Sequence, residues 1–175
     1  MRHGKTVWNE KHITQGRTNN MLSIDGKSCC QTIAKQYKDV QIDAIVCSPL
    51  RRAVQTANIM NRYHSAKIIK DDLLVDIDQG IFTGRCFDTL TEDEKAIKAS
   101  KSKNAKMESY EMLYSRMQKF VDSLKVRYPY KTILVVTHSG CASFIEDIIL
   151  NKRVDFAAKN YKCNFDNNQV KEFEI

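Results

Sequence analysis

Thr132-Ile133-Leu134-Val135-Val136-Thr137-His138-Ser139-Gly140 is the stretch on which the fold turns. The run from Ile133 to Val136 is apolar without alternation, as expected of a parallel strand covered on both faces. Beyond Gly140, Ala142, Ile145 and Ile149 recur at helical spacing, so the stretch reads as strand, turn and helix. The same grammar appears upstream. Ile42 and Ala44-Ile45-Val46-Cys47 form a second buried run, stopped by Ser48-Pro49. Arg51 to about Arg62 follows as a helix with Ala53, Val54, Ala57 and Met60 on one face. Further out, Cys30, Ile33, Ala34 and Tyr37 make a helical stripe, and Ala66 to Ile69 a short strand. Helical potential is weak around Glu92 to Ala99 and strong through Leu113, Met117, Phe120, Val121 and Leu124. Val170 to Ile175 alternates as a last strand. This pattern predicts an α/β protein, a three-layer α/β/α sandwich with a mostly parallel central sheet. Ligands of such sheets sit at the carboxyl ends of the strands.

The 175 residues fit one domain, 1–175, with a lid or insert at approximately 85–107. Composition is that of an ordinary globular chain, 42% hydrophobic and 28% charged. No long apolar stretch or signal-peptide pattern occurs, which predicts a cytoplasmic protein with no membrane partner. The cysteines, scattered apart from Cys29-Cys30, include no C-x-x-C pair, which argues against zinc and against a disulfide framework. The net charge of +7 owes much to Lys95, Lys98, Lys101, Lys103 and Lys106. No aromatic residue interleaves with these lysines, so a nucleic-acid partner is not expected. A solvated helix face or lid accounts for them, and a rim that attracts an anionic substrate is the other reading.

Four places stand where a strand ends or a loop begins: Arg2-His3, Ser48 to Arg52, Asp76 to Gly84, and His138. Together they hold what phosphoryl transfer needs. Guanidinium groups bind a phosphate dianion through paired donors, and Arg2 and Arg52 supply them. A neutral imidazole, that of His3, attacks phosphorus. His138 offsets charge on the equatorial oxygens. A carboxylic acid protonates the leaving alkoxide. Taken alone each piece is weak; Arg51-Arg52 by itself would pass for a solvated pair.

The ordered set is stronger. Arg2-His3-Gly4-x-Thr6-x-x-Asn9, Gln15-Gly16, Ser48-Pro49-Leu50-Arg51-Arg52-Ala53-Val54-Gln55-Thr56-Ala57 and Thr137-His138-Ser139-Gly140 resemble the landmarks of the histidine phosphatase superfamily, the phosphoglycerate-mutase-like enzymes. Within it the chain is most similar to the small bacterial-type phosphatases. Glu108-Ser109 ahead of Arg116 also resembles a family element. The resemblance implies that His3 is the phosphoacceptor and that Arg2, Asn9, Arg52 and His138 line the phosphate pocket. Gln15 and Gly16 would lie near the substrate. Thr6 would either cap the next turn or take a direct role, and Trp8 would pack beside the site. His12 and His64 match nothing and read as surface or packing residues.

Two departures from the family pattern matter. Where relatives carry a glutamate proton donor, Leu74-Val75-Asp76-Ile77-Asp78-Gln79-Gly80-Ile81-Phe82-Thr83-Gly84 places Asp76, one methylene shorter, with Asp78 as a fallback. A strand of about 5–6 residues would also be expected before Arg-His-Gly, and only Met1 stands there. The first strand thus reads as missing or truncated, and a start assigned at an internal methionine is the favoured explanation. The function expected is a metal-independent phosphomonoesterase acting on a small-molecule phosphate monoester through a phosphohistidine on His3, with no cofactor. The alternatives are a cofactor-dependent phosphoglycerate mutase and a catalytically impaired pseudo-phosphatase. About thirty residues separate Asp76 from Glu108, too few for the enclosing insert of bisphosphate-using mutases. The sequence leaves the substrate and the oligomeric state open.

Overall fold

Three parallel strands carry the site: β1 (Ala44–Cys47), β2 (Lys67–Lys70) and β3 (Ile133–Val136), in the order β2-β1-β3. The computed structural model describes residues 1–101, 105–156 and 165–175. The helices are the single turn α1 (Val7–Glu10), α2 (Ile24–Gln36), α3 (Arg51–Met60), α4 (Glu92–Ala99), α5 (Tyr110–Arg127) and α6 (Ser139–Ile149).

All four residues of β1 are buried, and its side chains divide between two layers. Val46 enters a cluster with Leu113, Met117 and Phe120 of α5 and Phe144 and Ile148 of α6. Ile45 and Cys47 pack on Ala53 and Ala57 of α3. This is the predicted sandwich, built as expected from alternation on a pleated strand. The periodic faces read from the sequence hold in α5, where Leu113, Met117, Phe120, Val121 and Leu124 are buried. In α3 the polar residues Arg52 and Thr56 share the buried face with Ala53, Ala57 and Met60, and Val54 sits at its margin.

β3 is covered on both faces, Ile133 and Val135 against the α5–α6 cluster and Leu134 against the α3 side, but less completely than β1, since only Val136 is buried. Its outer edge pairs with Met1 to His3 alone: Met1 N donates to Val135 O at 2.8 Å, Thr137 N to Met1 O at 3.0 Å and His3 N to Thr137 O at 2.9 Å. Val170 to Ile175, read as a last strand, is not one. Arg2 N bonds Gln169 O at 3.1 Å and Asn168 N bonds His3 O at 3.3 Å. Among the described residues these bonds do not extend into a ladder along Val170 to Ile175, and a strand needs one. Met1, buried against Ala34 and Met60, fills the core below this short strand.

α4 forms where only weak potential was read. A capping box between Thr91 and Glu94 ties its first turn, with Thr91 Oγ1 accepting from Glu94 N at 3.2 Å. Arg85 then clamps Glu94 at 2.6 and 3.1 Å. Lys103, read as part of the basic run, lies outside the described residues.

Candidate active site

Four chain segments at the site lie beyond carboxyl ends of the sheet. His3 and Gly4 follow the short edge strand, Ser48 follows β1, and Thr137-His138 follows β3. The 3-10 turn Asp72–Leu74, just after β2, leads into Asp76. Gly4 has no room for a side chain, since a Cβ there would lie 2.5 Å from Cys30 Sγ. Its N–H bonds Thr56 Oγ1 at 3.0 Å, fixing His3 against α3.

The ring of His3 is 2% exposed and its tautomer is set by its partners. Nδ1 lies 2.7 Å from Gly4 O, which can only accept, so Nδ1 carries the hydrogen. Arg52 Nε donates to Nε2 at 3.2 Å, marking Nε2 as the lone-pair nitrogen. Burial, and then the charges of His138, Arg52 and Arg2, hold the His3 pKa well below its ordinary value. The His138 ring stands edge-on to His3, centroids 5.2 Å apart. Burial, followed by Arg52, Arg2 and Arg116, keeps it neutral as well. His138 Nε2 meets Ser48 Oγ at 2.8 Å, while its buried Nδ1 makes no hydrogen bond and lies 3.6 Å from Asp76 Oδ2. Ser48 Oγ already accepts from Leu50 N at 3.3 Å, so its hydrogen can go to Nε2. That leaves Nδ1 as a protonated donor aimed at the carboxylate.

Arg52 is the hub. Fully buried, it donates through Nη1 to Thr18 O at 2.7 Å and through Nη2 to Gly16 O at 2.8 Å and Asp76 Oδ2 at 2.9 Å. Gly16 can bend inward because it adopts φ +51°, where a side chain would be strained. Arg2 donates from Nη1 to Phe165 O at 2.8 Å. A cavity of about 360 Å³ opens beside these groups, lined in part by Arg2, His3, Asn9, Gln15, Gly16 and Asp76. Of the residues singled out from the sequence, these six therefore share one space, and Arg52 and His138 lie buried behind it.

The remaining expectations divide. Thr6 is a cap: its Oγ1 accepts from Asn9 N at 3.1 Å, and Asn9 Oδ1 accepts from Thr6 N at 3.1 Å. Asp78 caps a turn, its Oδ1 accepting from Gly80 N at 2.9 Å. The structure thus brings Asp76, and not Asp78, to His138 and Arg52. His12, read as a surface or packing residue, is exposed and pairs with Asp88 at 2.8 Å.

The sequence reading gave no role to the clamp behind Asp76. Glu108, 7% exposed, pairs with Arg116 Nε at 3.0 Å and Nη2 at 2.9 Å. Arg116 Nη1 holds Leu73 O at 2.5 Å and Val75 O at 2.7 Å. Glu108 Oε2 accepts from Asp78 N at 3.2 Å, and Arg17 bridges Glu108 Oε2 and Asp76 O, each at 3.3 Å. The resemblance of Glu108-Ser109 to a family element was the available signal. Among the described residues no group of three or more His, Cys, Asp or Glu is placed to hold a metal ion, and no helix is long and apolar enough to cross a membrane.

The comparisons with known proteins agree with this geometry. The sequence model of the histidine phosphatase superfamily (branch 1) matches residues 1–175. An uncharacterized phosphatase of Bacillus subtilis (strain 168), PhoE, is 31% identical over 140 residues, covering 80% of this chain and 70% of PhoE. Bacillus stearothermophilus YhfR superposes with a TM-score of 0.79 at 24% identity, over 91% of this chain and 82% of its own. A mycobacterial glucosyl-3-phosphoglycerate phosphatase in complex with VO3 superposes with a TM-score of 0.77 at 23% identity, over 86% and 79%. The chain belongs to the histidine phosphatase superfamily and is an enzyme of the phosphatase class.

Proposed function

We propose that this histidine phosphatase is a metal-independent phosphomonoesterase that works through a phosphohistidine on His3 and takes a small phosphorylated substrate. The observation that carries the reading is the state of the His3 ring: buried, neutral, protonated on Nδ1 toward Gly4 O, and presenting Nε2 beside Arg52. A neutral ring with a fixed tautomer is a nucleophile ready at physiological pH.

Arg2 and Arg52 take the phosphoryl oxygens, and His138 Nδ1, which has no partner of its own, donates to a third. An incoming dianion competes with Asp76 and His3 for the Arg52 donors, so binding frees both reacting groups. His3 Nε2 then bonds to phosphorus as the phosphorus–oxygen ester bond breaks, and the Asp76 carboxyl gives its proton to the leaving oxygen. In the second half, water attacks phosphorus and passes a proton to the Asp76 carboxylate. The nitrogen–phosphorus bond breaks, and inorganic phosphate leaves. Asn9, whose Oδ1 is spent on Thr6, contributes Nδ2 to the phosphate, and Gln15 and Gly16 border the leaving group. The segment 85–107 serves as the lid of a single domain spanning 1–175.

Hydrolysis of p-nitrophenyl phosphate in EDTA tests the reading. Turnover by the wild-type chain and a loss on the order of 10⁴-fold in His3→Ala are expected. Equal rates in the two proteins, or activity that vanishes in EDTA and returns with added metal, would sink it.

A further inference from the structure

We propose that the turn at residues 165–169 positions the reacting groups, with Asn168 as its locking residue: it holds Arg2 and His3 in place for phosphoryl transfer. The inference rests on the phosphatase reading of this site.

The first observation is that the turn completes the support of these two residues. The short strand that carries them pairs with β3 on one side. On the other side it meets this turn. Gln169 O accepts from Arg2 N at 3.1 Å, and His3 O accepts from Asn167 Nδ2 at 3.0 Å and from Asn168 N at 3.3 Å. Phe165 O accepts from Arg2 Nη1 at 2.8 Å and from Ser139 Oγ at 2.9 Å, which ties the guanidinium to the first turn of α6. Phe165 is buried, and its ring lies 4.4 Å from Lys171 Nζ, which pairs with Glu146 of α6 at 2.7 Å.

The second observation is what fixes the turn itself. Gln169 N bonds Asp166 O at 3.1 Å, and Asp166 N bonds Gln169 Oε1 at 2.8 Å. Asn168 stands at the third position of this turn with φ +66°, a conformation that asparagine tolerates better than most residues. It is buried, and its Oδ1 accepts from Cys30 Sγ of α2 at 2.8 Å. Burial pushes the Cys30 thiol up to about 11, so it keeps its hydrogen and can donate. The space around this contact is closed. A Cβ at Gly4 would lie 2.5 Å from Cys30 Sγ and 3.1 Å from Asn168 Oδ1. Thiol, amide and Gly4 backbone therefore form one packed contact directly behind His3. Displacing Asn168 moves the donors on His3 O and the carbonyl on Arg2 together. Asn168 is thus a positioning residue that acts through Arg2 and His3.

Kinetics on the full chain test this with three variants: Asn168→Gly, which accepts the same φ and removes Oδ1; Cys30→Ala, which removes the donor; and Cys30→Ser, which keeps one. Hydrolysis of p-nitrophenyl phosphate is measured alongside inhibition by vanadate, which adopts the five-coordinate geometry of phosphoryl transfer, and by inorganic phosphate, which only occupies the site. Asn168→Gly and Cys30→Ala should each lower kcat by about tenfold with KM changing less, as for reacting groups displaced by part of an ångström. Vanadate inhibition should weaken by a similar factor while phosphate inhibition stays within about twofold. Cys30→Ser should retain most of the wild-type rate, and the double variant should be no slower than Asn168→Gly alone. An unchanged kcat in folded Asn168→Gly, or equal weakening of vanadate and phosphate, overturns the proposal. Thermal unfolding checks that each variant folds, and Cys30→Ala carries the same comparison should Asn168→Gly not fold. An inactive wild-type chain would defeat the phosphatase reading, whereas an active one with unaffected variants would defeat this inference alone.

Discussion

His3 and Asp76 reach one cavity by opposite constructions. His3 leaves a backbone ladder: its N–H bonds Thr137 O at 2.9 Å, and its carbonyl accepts from Asn167 Nδ2 at 3.0 Å and Asn168 N at 3.3 Å. Asp76 lies between 3-10 turns that belong to no sheet. Its loop is held by side chains, with Arg116 on Leu73 O and Val75 O, Glu108 on Asp78 N and Arg17 on Asp76 O. The place of His3 is therefore set by backbone pairing with β3, whose register cannot shift by part of a residue. The place of the Asp76 carboxylate is set by a clamp of ion pairs, which can shift. A donor one methylene shorter than the family's glutamate is tolerable on such a loop, because a buried clamp can hold it close to Arg52 and His138.

Substitutions should separate the two halves, and after His3→Ala the largest effect on the proposed mechanism belongs to Asp76. Asp76→Asn is expected to lower kcat on an alkyl phosphate by about 10²–10⁴-fold and to cost much less on p-nitrophenyl phosphate, whose leaving group needs little protonation. Equal losses on both substrates would remove Asp76 from the acid role. Next comes the clamp. Arg116→Met strips two carbonyls and leaves Glu108 buried with one arginine fewer. About a 10²-fold fall in kcat is expected from a displaced carboxylate, with KM changing less. Stability should fall by roughly 3–5 kcal/mol, and adding Glu108→Gln should recover part of it, as urea unfolding would show.

The nucleophile half responds to pH instead. Both histidines titrate well below 6.5 in the folded chain, so the unfolded chain binds their protons first. Their contribution to stability is complete above pH 6.5 and is lost as pH falls below it. The slope approaches about 1.4 kcal/mol per pH unit for each ring. Urea unfolding between pH 7.5 and 5.5 should show this, and His3→Gln should roughly halve it. The smallest effect is Asp78→Asn. It keeps an Oδ1 that can still accept from Gly80 N and removes only the charge, with under about 1 kcal/mol lost and kcat unchanged. A large drop in kcat would return Asp78 to candidacy as the donor.

The sequence was legible where periodicity and burial coincide. α5 and α6 follow their apolar spacing, and β1 its unbroken run, because an amphipathic or wholly apolar segment has few ways to hide its surface. It misled at Val170 to Ile175, where alternation is present but no ladder forms among the described residues. Propensity understated α4, whose stability comes from its capping box and the Arg85–Glu94 pair more than from an apolar face. Neither signal lies in the hydrophobic pattern.

By itself the sequence determined the sandwich, the family and the residue types gathered at the cavity, because strand-end motifs and their order are local in the chain. Only the tertiary structure decided which aspartate faces His138, which nitrogen of His3 carries its hydrogen, and that Glu108 and Arg116 clamp the loop between them. Those choices depend on contacts between residues as far apart as Leu73 and Arg116, or Arg17 and Glu108, and no spacing along the chain encodes such distances.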